Sequence, residues 1–398
     1  MSTLQSTFKI AIIYILIGIP AVSASADVKT DITATSGYTS NLLNDSTRLE
    51  DSYSTINAAL FIYPVAPLEF EINNRYTYYS RYYKLSNFQG SAGFKFIPTR
   101  ADSRLSVALN ARFSSQIYRD SINIDNSGIT NISSNNDNYD LGFGLGYRFA
   151  SNLNARLGSA YNYLKYTDYK GANRGTWKFF TGINMTIFGS NSIDVETGFA
   201  TMDYRRFKDS IYIVPLQLTP AEQLALLDSV LRHDNLHSFY VSPRFSRPFG
   251  SKTGFNIIYS YRKFYNFADK RVYGLNSGFL SPWASVYEGT SITSGIKSYI
   301  IPGFTLNLGA GYWDKTFFKS LERPDGRITD PTPTRKSHIS IRRDFQTRVY
   351  AGLTRSFGFA GGSKLEATLT YEFENNHSIN TFYDYKKSGI SAILDLKM

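Results

Sequence analysis

From residue 27 onward the chain is built of segments of alternating hydrophobicity, and that pattern narrows the choice of fold more than any other feature. Between Leu68 and Thr77, the residues Leu68, Phe70, Ile72 and Tyr76 share one parity, and Glu69, Glu71, Asn73, Arg75 and Thr77 share the other. A period of two belongs to a β-strand, whose successive side chains leave opposite faces. Repeated along the chain, the pattern meets what a bilayer demands. Lipid needs an apolar row, enclosed water tolerates a polar one, and every backbone group must pair with a neighbouring strand. The predicted class is all-β, a transmembrane antiparallel up-and-down β-barrel.

The first 26 residues follow other rules. Lys9 precedes the apolar run Ile10 to Ile19, Pro20 follows, and Ala24-Ser25-Ala26 has the small-x-small form of a cleavage site. This is the layout of a secretory signal peptide, and the run is shorter than the roughly 20 residues a spanning helix needs. The expected organisation is a signal peptide over 1–26 and an outer-membrane barrel over 27–398.

With no Cys in the chain, disulfides and thiolate chemistry are excluded. The 43 Lys and Arg against 32 Asp and Glu give a formal charge of +11, which falls to +10 once Lys9 leaves with the leader. The basic residues are spread through the strands without a cluster, so the charge is read as a property of the lumen and rim, and nucleic acid is not an expected partner.

About sixteen strands are expected: Val28–Tyr38, Ser52–Tyr63, Leu68–Tyr82, Phe88–Ile97, Arg104–Tyr118, Tyr139–Phe149, Ala155–Tyr166, Arg174–Phe188, Ile193–Phe207, Leu236–Phe245, Thr253–Tyr265, Val286–Tyr299, Phe304–Trp313, His338–Phe357, Lys364–Phe373 and Thr381–Met398. The connections alternate in length. Those after even-numbered strands are short, as at Pro64–Pro67, Gly189–Ser192 and Ile300–Gly303, whereas Thr39–Asp51, Arg119–Asn138, Lys208–Asn235, Asn266–Ser285 and Asp314–Ser337 are long. An antiparallel barrel puts each set on one side of the membrane, with short periplasmic turns, long extracellular loops and both termini in the periplasm.

The chain resembles the Gram-negative outer-membrane β-barrels of the porin-like size class over essentially all of its length after the leader. Its end, where Ile390, Ala392, Leu394, Leu396 and Met398 alternate with Ser391, Ile393, Asp395 and Lys397, is similar to that family's C-terminal targeting strand, although Met398 stands where an aromatic residue is usual. The resemblance implies residence in the outer membrane, contact with outer-membrane lipid, and recognition by the barrel assembly machinery through this strand. The string Gly37-Tyr38-Thr39-Ser40-Asn41 also resembles the opening of barrels that export lipoproteins or polysaccharide. Those carry a periplasmic helical-repeat domain, for which no room is expected between Ala26 and Val28.

Aromatic residues gather at both ends of the strands. Tyr78, Tyr79, Tyr82, Tyr118, Tyr161, Tyr163, Tyr261, Tyr265, Tyr312, Trp313, Phe382 and Tyr383 lie at loop ends, and Tyr63, Phe94, Phe96, Phe188, Phe245 and Phe304 at turn ends, as two interfacial girdles would require. By parity, Arg75, Lys95, Arg104, Arg112, Arg148, Arg156, Lys178, Arg262, Arg348 and Lys364 point inward together with Glu69, Glu71, Asp140, Asp194, Glu196, Glu366, Glu372 and Glu374. A barrel of about sixteen strands is wide enough to hold water behind such a wall.

Two features are expected to narrow it. Thr219-Pro220-Ala221-Glu222 has the form of a capping box, and Leu224, Leu227, Val230 and Leu231 form a helical stripe, so a short helix is predicted within the connection 208–235. Gly142, Gly144 and Gly146 leave one strand without side chains toward the lumen, where an infolded loop could lie.

Catalytic signals are weak. Of the four histidines, only His233 and His237 have ligand-like spacing, without a third ligand nearby, so no metal and no cofactor is expected. Gly361-Gly362-Ser363-Lys364 lacks the order of a phosphate loop. Asp125-Asn126-Ser127-Gly128 and Pro324-Asp325-Gly326 are turn signals first and Ca²⁺ loops second. The expected function is passive diffusion of small hydrophilic solutes, with anions favoured, through a non-enzymatic porin-like channel. The alternatives are an export or surface-interaction barrel with a plugged or polymer-conducting lumen and, third, a lipid-modifying barrel enzyme. Oligomeric state is not legible.

Overall fold

In a computed structural model the chain is described over residues 27–44, 46, 48–65, 67–99, 102–119, 135–167, 173–188, 190–207, 231–265, 271–272, 286–320, 340–359, 362–379 and 381–398. The expected leader, Leu224 and Leu227 lie outside the described residues.

The strands are β1 (Asp27–Thr39), β2 (Asp51–Val65), β3 (Leu68–Tyr79), β4 (Asn87–Phe96), β5 (Leu105–Tyr118), β6 (Asn136–Ala150), β7 (Leu153–Tyr166), β8 (Arg174–Ile187), β9 (Asn191–Phe207), β10 (Leu231–Phe249), β11 (Thr253–Phe264), β12 (Arg271–Val272), β13 (Tyr287–Ile301), β14 (Phe304–Ser320), β15 (Ser340–Gly358), β16 (Lys364–Ser378) and β17 (Tyr385–Lys397). Sixteen of them make a closed antiparallel up-and-down barrel, and the two-residue β12 runs parallel to Lys319 and Ser320 at the end of β14. Closure is made by β1 and β17, in register from Asp31 opposite Lys397 to Thr39 opposite Gly389. The Thr30 and Met398 amides then exchange hydrogen bonds with each other's carbonyls at 3.0 and 2.9 Å. No edge strand is left, so the backbone donors and acceptors of the wall are satisfied without water.

At one end the connections are short: 66–67, 97–104, 151–152, 188–190, 250–252, 302–303 and 359–363. Two of them use glycine where the backbone turns left-handed, with φ 63° at Gly250 and 81° at Gly303. At the other end the connections reach 119–135, 208–230, 265–286 and 321–339.

Burial is inverted relative to a protein folded in water. Large apolar side chains such as Phe70, Leu141, Ile183, Val349 and Leu369 are exposed, Leu369 by 55%, while the polar side chains of opposite parity are half-covered by neighbours on a concave wall. The apolar face is therefore the convex one and the polar face lines the interior.

Several expected boundaries change. Leu231, assigned by its spacing to the end of a helix, starts β10, and His233 follows it within that strand. Pairing of Leu231 with Phe207 and of His233 with Arg205 extends the β9–β10 ladder beyond the expected strand ends. Thr219–Glu222, Leu224, Leu227 and Val230 of the predicted helix lie outside the described residues, so only its last residue, Leu231, is seen to belong to a strand. The strand expected to run to Tyr82 stops at Tyr79, where Tyr83–Leu85 forms a 3-10 turn. The last strand begins at Tyr385 because Thr381–Tyr383 is also a 3-10 turn. β14 continues to Ser320, well past Trp313.

Candidate functional site

The pairing register carries the expected inward residues along the inner wall in oblique rows. One row runs from Glu69 to Lys95, Asn110, Gly142, Ala160 and Lys178. The next passes from Glu71 through Gly93 to Arg112, Asp140 and Asn162. A third joins Gly146 to Arg156, Gly182 and Glu196. Arg148 belongs to the row that leads through Asn154 and Asn184 to Asp194. Arg104 sits beside it, its carbonyl accepting the Arg148 amide at 2.7 Å. Arg75 lies opposite Gln89, Arg262 opposite Tyr240, and Arg348 opposite Glu374.

An ion network is centred on Arg156. Its guanidinium grips Asp194 through two parallel hydrogen bonds of 2.7 and 2.8 Å and reaches Glu196 at 3.2 Å. Glu196 also accepts from the Tyr240 hydroxyl at 2.9 Å and from Lys178 at 3.3 Å, and the Lys178 ammonium stands 4.6 Å from the Tyr240 ring centroid. Arg156 is on β7 and its partners are on β9, so it must cross β8. It does so over Gly182, where a Cβ would lie 2.8 Å from the Arg156 Nε. The same device recurs where Arg112 on β5 crosses Gly93 on β4 to pair with Glu71 on β3. A third variant lays rings over glycines: Phe180 over Gly158, Tyr240 over Gly198, Tyr350 over Gly309.

Gly142, Gly144 and Gly146 share the inner face, but the wall there is not bare. Asn110 leans over Gly142 and Ser106 over Gly146, and only the Gly144 position is open to 4 Å.

Toward the loop end the interior becomes crowded. Met202, Tyr204, Leu236, Phe264 and Val286 form one buried apolar cluster. Leu42 and Leu85, from the connections after β1 and β3, are buried with Tyr79 and Tyr118 packed against them. Between these clusters, on β15, Arg342 lies over the rings of Phe317 and Tyr383, with centroid distances of 4.1 and 3.3 Å, and is paired with the buried Asp344. Asn376 and Ser378 also donate to that carboxylate. The expected girdle is therefore divided. Tyr78 and Tyr312 face outward and are exposed, whereas Tyr79, Tyr118 and Tyr383 fill the mouth. Outside the strands, Glu50 accepts from the Tyr38 hydroxyl at 2.7 Å and from Arg81 at 3.3 Å, the Tyr38 bond foremost in holding its carboxyl below the usual range.

A closed wall with an apolar convex face, a charged concave face and connections of alternating length fits one setting. The chain is a transmembrane-type β-barrel of porin-like size.

No family model and no curated relative matches the chain. Solved structures similar to this barrel include OccAB1 of Acinetobacter baumannii, with 10% identity over 94% of this chain and 96% of that one and a TM-score of 0.48. The outer membrane protein OpdK of Pseudomonas aeruginosa has 11% identity over 94% and 99%, with a TM-score of 0.47. CdiB of Acinetobacter baumannii has 9% identity over 93% of this chain but 60% of its own length, with a TM-score of 0.51. At such identities the likeness is one of fold. His237, once in a strand, faces outward and stacks on Phe199, its ring centroid 5.7 Å away, and no group of three metal-ligand side chains occurs among the described residues.

Arg342, Asp344, Tyr240 and the bridging glycines Gly93 and Gly182 were not singled out by sequence reasoning. Parity alone could have put Arg342 and Asp344 on the inner face. The glycine bridges need the register of three strands, which no local pattern contains.

Proposed function

We propose that this barrel is a passive channel for small hydrophilic solutes that favours anions. The observation that carries the reading is the unequal pairing of charge on the inner wall. The carboxylates are mostly engaged: Glu71 by Arg112, Asp194 and Glu196 by Arg156, Glu372 by Arg348 at 2.7 Å, and Glu366 by Lys364 and Lys397. Asp140 is held by Asn138 and Asn162. Arg75, Lys95 and Arg104 have no ion-pair or hydrogen-bond partner for their charged groups among the described residues. A paired carboxylate projects little field, whereas an unpaired base inside low-dielectric walls raises the local anion concentration.

Reversal potentials of refolded protein in a salt gradient test this. Low ionic strength is needed, because at 0.1 M salt the Debye length is about 10 Å and charges across a wide lumen are screened. Anion preference is expected, and a shift toward cations in Arg75→Glu with Lys95→Glu. Cation preference in the unmodified protein overturns the selectivity. The rival export or surface-interaction reading draws on the apolar cluster at the mouth, which a freely open pore does not need, and predicts a silent bilayer.

A further inference from the structure

We infer that the inner wall across β14 and β15 carries a stacking site for the pyranose ring of an uncharged sugar. Of the three rings laid over glycines on the inner wall, two have a cation on them: Lys178 stands 5.3 Å from the Phe180 centroid and 4.6 Å from that of Tyr240. Tyr350 is open. It lies opposite Gly309, its ring so close over that glycine that a Cβ there would overlap it, and no cation among the described residues stands over its face. The residue is 43% exposed. The wall around it is short of side chains. Gly309 and Gly295 continue its row toward Asn256 on β11, and Gly352 is the next inner residue along β15 toward the short connections. Asn256 leans over Gly295, its amide nitrogen 3.4 Å from where a Cβ would stand, and Asn307 flanks Gly352. Trp313 lies over Gly311, one inner position or about 7 Å farther toward the long connections.

The class of ligand follows from an aromatic face open to water with a polar, neutral rim. A pyranose ring is apolar over its two faces, where axial C–H bonds point, and polar around its edge, where equatorial hydroxyls point. The weakly positive C–H bonds meet the negative face of an aromatic ring. Each hydroxyl both donates and accepts, and so does a carboxamide. The amides of Asn256 and Asn307 have no hydrogen-bond partner among the described residues, which leaves both functions for the sugar edge. An aromatic carboxylate would also stack on Tyr350, but it needs a cation at the rim that is not already matched. Arg348, the neighbouring inner residue on β15, is paired with Glu372 at 2.7 Å, and Lys315 is bonded to Gln346. The channel reading enters only through access: the ring face opens on the interior that a solute would cross.

The test is saturation-transfer NMR of methyl β-glucoside with the refolded full chain, in a detergent without sugar head groups, which does not require the channel to conduct. Transfer is expected to favour the axial protons of one ring face over those of the other, as stacking requires. Tyr350→Ala should reduce it about tenfold. Tyr350→Phe keeps the face and loses only the hydroxyl, so it should stay within twofold. Asn307→Leu, which removes an amide from the rim, should reduce transfer at least threefold, and Phe180→Ala, whose ring lies under Lys178, should leave it within twofold. Retention of the heat-modifiable folded band on a gel confirms that each variant is folded. Transfer spread evenly over both faces, transfer unchanged in Tyr350→Ala or lost in Tyr350→Phe, or displacement by benzoate as readily as by glucose, overturns the inference. A conducting barrel that shows no transfer would overturn the site and leave the channel reading standing. A silent bilayer with intact transfer would overturn the channel reading and leave the site.

Discussion

Gly182 shows how a single missing side chain organises charge in this wall. Arg156 reaches β9 only because nothing stands on β8 beneath it, so even one methyl group there must displace the guanidinium. Gly182→Val is expected to break the Arg156–Asp194 and Arg156–Glu196 pairs and leave Asp194 without its cation, while Glu196 keeps Lys178. The stability cost should be modest, about 1 kcal/mol or less, because the Arg156 side chain is 37% exposed and water screens the pair. The measurable change is electrical: reversal potentials in a salt gradient should move toward cations. Gly254→Val, at an inner-face position with open space around it, is the control and should leave them unchanged. A glycine's effect here depends on what lies over it, and that was not legible from its place in an alternating segment.

Parity along a strand assigns each residue its solvent. On β16, Leu369 faces outward and is exposed, while the adjacent Thr368 faces inward and shares a hydrogen bond of 2.9 Å with Thr354 on β15. Leu369→Arg puts a charge into hydrocarbon and should cost roughly 2–4 kcal/mol of barrel stability near the midplane. Thr368→Arg loses one half-exposed hydrogen bond and keeps its charge in water, so it should cost about 1 kcal/mol. Denaturant unfolding of both variants in lipid vesicles measures the difference, and equal losses would show the parity to be wrong at this strand. Strand parity was the most legible property of the chain, because the bilayer penalises a slip of one residue on every side chain at once. Strand ends were less legible. Tyr78 and Tyr79 read alike as girdle residues, yet neighbours in a strand cannot both face lipid, and Tyr79 instead packs on Leu42 and Leu85.

The alternation of connection lengths orients the whole barrel. An epitope inserted after Asn131, within the connection 119–135, should be reached by antibody on intact cells, and one after Ser190, within 188–190, should be reached only after the outer membrane is opened. The opposite accessibility would invert the barrel. Closure adds a second expectation. β1 and β17 meet along nine paired positions, and Met398 completes the seam against Thr30. Removing 390–398 strips β1 of most of its partner and should abolish the heat-modifiable folded form, since half-paired strands cannot remain in lipid.

The sequence by itself determined the class of fold, the strand number, the alternation of short and long connections and the alternating faces of the strands. All of these rest on a period of two and on turn chemistry, which are local and repeat often enough to outweigh errors at single positions. Tertiary structure decided how the charges are used. Arg112 and Glu71 are 41 residues apart, Arg156 and Asp194 38, and each pair depends on a glycine in an intervening strand. Ion pairing and pocket shape depend on distances across the sheet, and those are set by register, curvature and closure acting together.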